Sequence, residues 1–362
     1  MHNTKITPKQ ATFLVLACTL SSVHVFLPNE LAQYTGRDAW ISALLAPFIG
    51  CLIFFMVIKL GLLLPNHSLA GINKKLLGRY FGGLITCIYI TSFLVLCIRN
   101  LIQFGLIMSV AFKPESVPYI WHLIVLIPAL YVSFLGISVP ARMNEVILPM
   151  GLGLIVMLVL LNIPNINLKE YLPVLQYGYK PSLVGTTFIG GHLAYSIIIF
   201  ALMPLINKKD KLIKCQIIIF GTIIMLSLLV ATLSIAILGL KYAETALLPT
   251  VSMIRTVDIG FFSRVDAVMM MVWQMGFFIA VAVLLYAAAS LTRDLFNFKG
   301  YRIILLVYGL VVFIGANIYI TNVPQLRQLF LQPLTILLYF LGLAIPLLLY
   351  MLAKLKGYPK RE

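Results

Sequence analysis

Long apolar runs recur along the whole chain, and the polar and charged residues gather in the short gaps between them. Runs long enough to cross about 30 Å of hydrocarbon as a helix fall near 11–33, 39–64, 80–112, 119–136 and 145–163. A second set of five follows near 183–206, 212–240, 264–290, 301–320 and 331–353. The pattern predicts an all-α polytopic membrane protein of ten transmembrane helices. It forms a single domain over 1–362, with one repeat at about 11–163 and another at about 183–353. The first run is too long for the apolar core of a signal peptide and lacks a small-residue cleavage site, so a retained helix is expected.

Composition agrees with the pattern. The residues are 61% apolar and 10% charged, with a mean hydropathy of +1.03, which excludes an ordinary water-soluble domain of this length. A net charge of +16 raises the question of nucleic acid. The basic residues lie in the gaps between spans rather than on one amphipathic face, and in a membrane protein that pattern sets topology, so no nucleic-acid partner is expected. Ten spans put both termini on one side, and that side carries 17 of the 27 Lys and Arg against eight on the other, with Lys59 and Arg99 inside spans. Cytoplasmic termini are therefore expected. The five cysteines sit in or beside apolar runs without a CxxC spacing, so neither a disulfide framework nor a metal site is indicated, and no cofactor is expected.

The informative positions are those where the first helix of each half breaks its own apolar rule. Span one contains Thr19, Ser21, Ser22 and His24 near its middle and Pro28 near its outer end; span six contains Thr186, Thr187, Gly190, Gly191, His192, Tyr195 and Ser196. Interruptions at corresponding places in two repeats mark substrate sites in secondary transporters, which points to an inverted five-plus-five arrangement with helices 1 and 6 interrupted. Unwound backbone inside a bilayer is tolerated only against protein or a water-filled cavity. Freed N–H groups there suit a carboxylate and freed carbonyls an ammonium, so an amino acid fits both. The alternative is that the glycines and the serine pair only let helices approach closely.

Four other residues within spans invite a role. Arg99 stands in an apolar stretch with no other charge within a turn, so it receives a substrate carboxylate, pairs with a structural carboxylate, or snorkels outward. His24 and His192 fall in the two interruptions, where hydrogen-bonded packing is the plainer account. Gln274, halfway along span eight, faces the site or makes an interhelical hydrogen bond. The candidate ligand-binding set is therefore Ser21, Ser22, His24, Arg99, Thr187, Gly190, Gly191, His192 and Gln274.

The connection 241–263 is the longest on the outer side and carries Pro249 ahead of Val251, Ile254 and Val257 at helical spacing. A short amphipathic helix over the outer mouth is expected, or a plain interfacial helix. Arg264 and Asp266 open span eight as a salt-bridged anchor, and Trp40 and Trp121 open spans two and four at the level of an aromatic belt. No nucleophile–base pair, HExxH or phosphate-binding loop occurs, so an enzyme is not expected. The carboxylates sit chiefly at span ends, which disfavours active proton coupling.

Several segments together resemble the spore germination permease family, the membrane-embedded B subunit of nutrient germinant receptors. They are ITPKQATFLVL at 6–16, GRDAWISALL at 36–45, SVPARMNEVILP at 138–149, YLPVLQYGYKPSL at 171–183 and LLPTVSMIRTVDIGFFSRVDAVMMMVWQMGFF at 247–278. That family is similar to the amino acid-polyamine-organocation superfamily, and the resemblance implies a LeuT-like fold. It further implies a small-molecule germinant, a place in the spore inner membrane, and A-type and lipoprotein C-type partner subunits. Pro249, Arg264, Asp266 and Trp273 match the family pattern and are assigned to gating or assembly. Two positions depart from it: Ser21 and Ser22 stand where glycines are common, and His192 where an acidic residue is. The second departure points to a different ligand or to an altered way of holding the same one. A secondary transporter of amino acids or small amines is the alternative reading.

Overall fold

Helix boundaries follow from local chemistry. Pro118 and Pro249 each take the first position of a helix, where the missing N–H would have been unpaired anyway. Gly78 (φ +84°) and Gly136 (φ +98°) sit in the left-handed region at junctions between helices, a turn that a side chain would strain. Ser68 caps the helix behind it by accepting from Gly71 N at 3.3 Å.

The structure, a computed structural model, describes residues 5–23, 27–64, 67–215, 217, 221, 232–257, 265–318 and 332–358. The first half contains α1 (Pro8–Val23), α2 (Leu27–Thr35), α3 (Ala39–Leu63), the short α4 (Leu69–Leu77), α5 (Arg79–Ile107), α6 (Pro118–Leu135) and α7 (Ser138–Asn162). The second half contains α8 (Lys180–Leu193), α9 (Ile198–Leu202), α10 (Leu240–Thr245), α11 (Pro249–Arg255), α12 (Val265–Phe296), α13 (Tyr301–Ile318), α14 (Gln332–Tyr339) and α15 (Ile345–Leu355). About half of expected span seven, 212–240, lies outside the described residues, as do His24 and Arg264; of Ser22 only the backbone is described. Among the described residues eight helical stretches are long and apolar enough to cross a membrane, one of them running from Leu27 to Leu63. The described parts of the expected first span are the 16-residue α1 and, beyond residues 24–26, the start of α2.

Two groups of helices pack together. In one, α12 runs along α5 and α6, with α13 closing the group against α6 and α5. The consecutive small residues Ala287, Ala288 and Ala289, all fully buried, accompany that packing. In the other, α3 and α2 pack on α8, and α14 packs on α8 as well. α1 bridges the two groups, packing against α12 and against α8, and α7 packs on α1 and α12. The segment Lys180–Leu205 is 89% buried in its apolar window against 28–61% for seven of the eight stretches, so span six is the central pillar and the others present a face to lipid.

Span six is not a continuous α-helix. After α8 a 3-10 turn (Ala194–Ile197) leads into the five-residue α9, and a second 3-10 turn (Met203–Leu205) ends the span. The break therefore comes one turn after Gly190 and Gly191 rather than at them, since both glycines keep helical backbone in the last turn of α8. The 3-10 turn packs against α3 and against a π turn (Phe340–Ala344) between α14 and α15. Ile6 and Ile206 form a parallel bridge, with Ile6 N donating to Leu205 O at 2.9 Å and Asn207 N to Ile6 O at 3.0 Å. That bridge ties the start of span one to the end of span six.

The outer connection is fastened to α2. The Asn29 side-chain amide lies 2.8, 2.9 and 2.7 Å from the carbonyls of Ala243, Glu244 and Ala246, and Gln33 donates to Glu244 O at 2.7 Å. α11 then buries Val251 and Ile254 as the spacing predicts. Replacing Asn29 by Leu removes two N–H donors shared among three carbonyls, at about 1 kcal/mol per donor. Hydrogen exchange across 240–257 is expected to rise at least about tenfold, while exchange in α5 and α12 stays unchanged; uniform protection in the variant would show that the connection is held by its apolar contacts alone.

Candidate functional site

Two buried polar contacts link α1 and α8 to consecutive residues of α5. The hydroxyl of Ser21 lies 3.1 Å from Cys18 O and 3.2 Å from Asn100 Oδ1. Asn100 is fully buried, and its Nδ2 donates to Leu96 O at 2.8 Å, which fixes the amide so that its oxygen faces Ser21. The next residue, Arg99, is 4% exposed and directs Nη2 at Nε2 of His192, 2.8 Å away. His192 Nδ1 lies 2.9 Å from Phe188 O, one turn back on α8. Arg99 can only donate and Phe188 O can only accept, so His192 carries its proton on Nδ1 and receives the guanidinium on Nε2. Thr19, Ser21, Ser196 and His192 are all buried.

The two glycines make a close helix contact. A Cβ on Gly190 would lie 2.2 Å from the Tyr339 hydroxyl, and one on Gly191 2.6 Å from the Thr335 methyl. Tyr339 uses that proximity to donate to Thr187 O at 2.8 Å, latching α14 to α8. Phe188 packs its ring 5.0 Å from Tyr34, joining the same helix to α2.

A cleft of about 50 Å³ opens between α1, α7 and α12, lined by Ser21, Asn144, Gly151, Trp273 and Gly276 among aliphatic residues. It has room for water or a very small group. Asn144, fully buried on α7, donates to Phe13 O of α1 at 2.6 Å, and its Oδ1 has no hydrogen-bond partner among the described residues.

The structure thus brings together Ser21, Arg99, Gly190, Gly191 and His192 from the sequence-derived set. It separates two others. Thr187 is exposed and hydrogen bonds back to Val184 O, and Gln274 is half-buried on α12 away from the cleft lining. Trp273 lies in the cleft wall, and Pro249 starts α11 as a buried N1 proline. Asp266 pairs with Arg255 of α11 at 3.2 Å, and Arg255 also donates to Ala111 O at 2.6 Å beyond the end of α5. Sequence reasoning did not single out Arg255. Asn100 and Asn144 were also missed, although an amide inside an apolar span is a signal of the same kind as Arg99. Glu30, near the outer end of expected span one, is buried at 5% exposure. It lies in the first turn of α2, where the helix N-terminus stabilises an acid.

Comparison with known proteins adds identity to this geometry. A family model described as spore germination protein matches residues 5–326. Spore germination protein KB of Bacillus subtilis is 27% identical over 98% of this chain and 95% of its own length. Spore germination protein YndE of the same organism is 26% identical over 82% of each chain. Among solved structures, MhsT in complex with L-phenylalanine superposes with a TM-score of 0.63 at 14% identity, covering 94% of this chain and 97% of that one. Mhp1, a nucleobase-cation-symport-1 family transporter, gives 0.56 at 15% identity over 93% and 79%. The chain is a multi-pass membrane protein with the LeuT-like fold of these transporters.

The glycine contact yields a test. Gly191→Ala places a methyl 2.6 Å from Thr335 and is expected to lower stability by about 1–3 kcal/mol. Gly153→Ala meets nothing within 4 Å and is expected to leave the thermal midpoint unchanged or raise it. Equal midpoints for the two variants would show that α14 yields without cost.

Proposed function

Because the chain belongs to the spore germination protein family, we propose that it is the membrane-embedded germinant-sensing subunit of a spore nutrient receptor. A small nutrient, with an L-amino acid as the expected class, enters from the outer side and binds where spans one and six are interrupted. Ser21, Arg99, Gly191 and His192 are the contact residues of this reading, while Pro249, Asp266 and Trp273 serve gating or assembly. The observation that carries it is a pair of buried polar contacts, Ser21 to Asn100 and Arg99 to His192, which tie α1 and α8 to consecutive residues of α5.

Binding acts by shifting the fold between two states. A ligand does so only through differential affinity, and a 100-fold preference for one state corresponds to about 2.7 kcal/mol. A-type and lipoprotein C-type subunits are the partners that transmit the shift, in the spore inner membrane with the termini of this chain in the cytoplasm. The basic bias of the terminal side supports that orientation.

A working transporter of amino acids or small amines is the second reading, favoured by the superposition on transporters across nearly the whole chain. The deciding experiment is dipicolinate release from spores lacking this chain, against amino acids, sugars and nucleosides, with the gene restored as control. Loss of response to one nutrient class, recovered on restoration, is expected. Unchanged release together with time-dependent uptake by the purified chain in vesicles would replace the sensor with the transporter.

A further inference from the structure

Arg99 is a buried cation whose partner is neutral. Its one hydrogen bond goes to the Nε2 lone pair of His192, and among the described residues no carboxylate lies within ion-pair distance of it. Its other N–H donors meet no acceptor among the described residues. A guanidinium at 4% exposure with only a neutral acceptor is a costly arrangement, because charge taken out of water is stabilised only by pairing and full hydrogen bonding. A carboxylate answers both needs at once, offering charge and two parallel oxygens to a planar fork.

The position of His192 makes the pairing consequential. Its other nitrogen is tied to Phe188 O within its own helix, and it stands two residues before the 3-10 turn at Ala194–Ile197. The imidazole is thus both the occupant of the guanidinium and part of the last turn before the break in span six. We infer that Arg99 and His192 form an exchangeable pair that selects for a carboxylate: the ligand's carboxylate takes the place of His192 Nε2 on Arg99, and the released ring alters the end of α8. The inference rests on the sensor reading for the location of the site, and it names the ligand group and the residue that answers to it.

The test uses the full chain in lipid nanodiscs, with its thermal midpoint read against the standard L-amino acids, their methyl esters, acetate, chloride, glucose and inosine. At least one free amino acid is expected to raise the midpoint while its methyl ester does not. Arg99→Lys keeps the charge but loses the fork, and is expected to need about tenfold more of that amino acid. His192→Asp gives Arg99 a built-in carboxylate; it is expected to raise the ligand-free midpoint and to abolish the ligand-induced shift. A structural role for His192 alone predicts the opposite pattern, a lowered midpoint with the shift retained, and that pattern overturns the inference. So does an equal shift from acid and ester, a shift from chloride, glucose or inosine only, or silence from every carboxylate. The spore experiment separates the two readings: a sugar or nucleoside response that depends on this chain keeps the sensor and removes the carboxylate, whereas carboxylate binding without a spore phenotype keeps the exchange and removes the sensor.

Discussion

Inside hydrocarbon every backbone N–H and C=O needs a partner within the chain, and irregular backbone survives only where protein surrounds it. The arrangement of this molecule depends on that constraint. Span six contains the 3-10 turn Ala194–Ile197, every residue of it buried, and among the eight membrane-length stretches of the described residues it is the most buried. α3 and the π turn at Phe340–Ala344 cover the break, so the helices that seal it are fixed by the need to seal it. Small residues are the means of approach: Gly50 faces Leu193, Gly190 faces Tyr339 and Gly342 faces Ala194, each too close for an unadjusted side chain.

Much of this was legible in the chain because apolar run length and turn chemistry are local properties. The boundaries of α3, α6 and α13 agree with the expected spans to within two residues. Span five begins at Ser138, earlier than the expected 145, because Arg142 falls in a gap between apolar runs although it lies in the second turn of α7. Gln10 Nε2 reaches Glu145 from the start of α1, a contact between residues 135 apart that no local pattern contains. The site shows the same division. Arg99 and His192 were each conspicuous, one as a charge and the other as a histidine among glycines, yet their pairing joins α5 to α8 across 93 residues. Thr187 looked equivalent to Gly190 by composition, but its place on the helix turns it away from the cluster.

The outer mouth and the interior are mechanically joined. Asn29 holds the chain from Ala243 to Ala246 on α2, and α2 packs on α8 through Tyr34 and Phe188, whose carbonyl carries the His192 ring. Arg255 and Asp266 then tie α11 to the start of α12. Two routes therefore run from the connection to the polar cluster, one by way of α2 and one by way of α12.

The π turn at Phe340–Ala344 has a further consequence. A π turn holds one residue more than the α-helix around it, and the facing 3-10 turn is wound tighter than α. Span ten thus stores about 1.5 Å of slack at the level where span six is overwound. Relaxing both turns to α would lengthen one strand of the contact and shorten the other with no backbone hydrogen bond lost overall. Excess chain in span ten therefore lies against stretched chain in span six, and the two irregular turns share one contact.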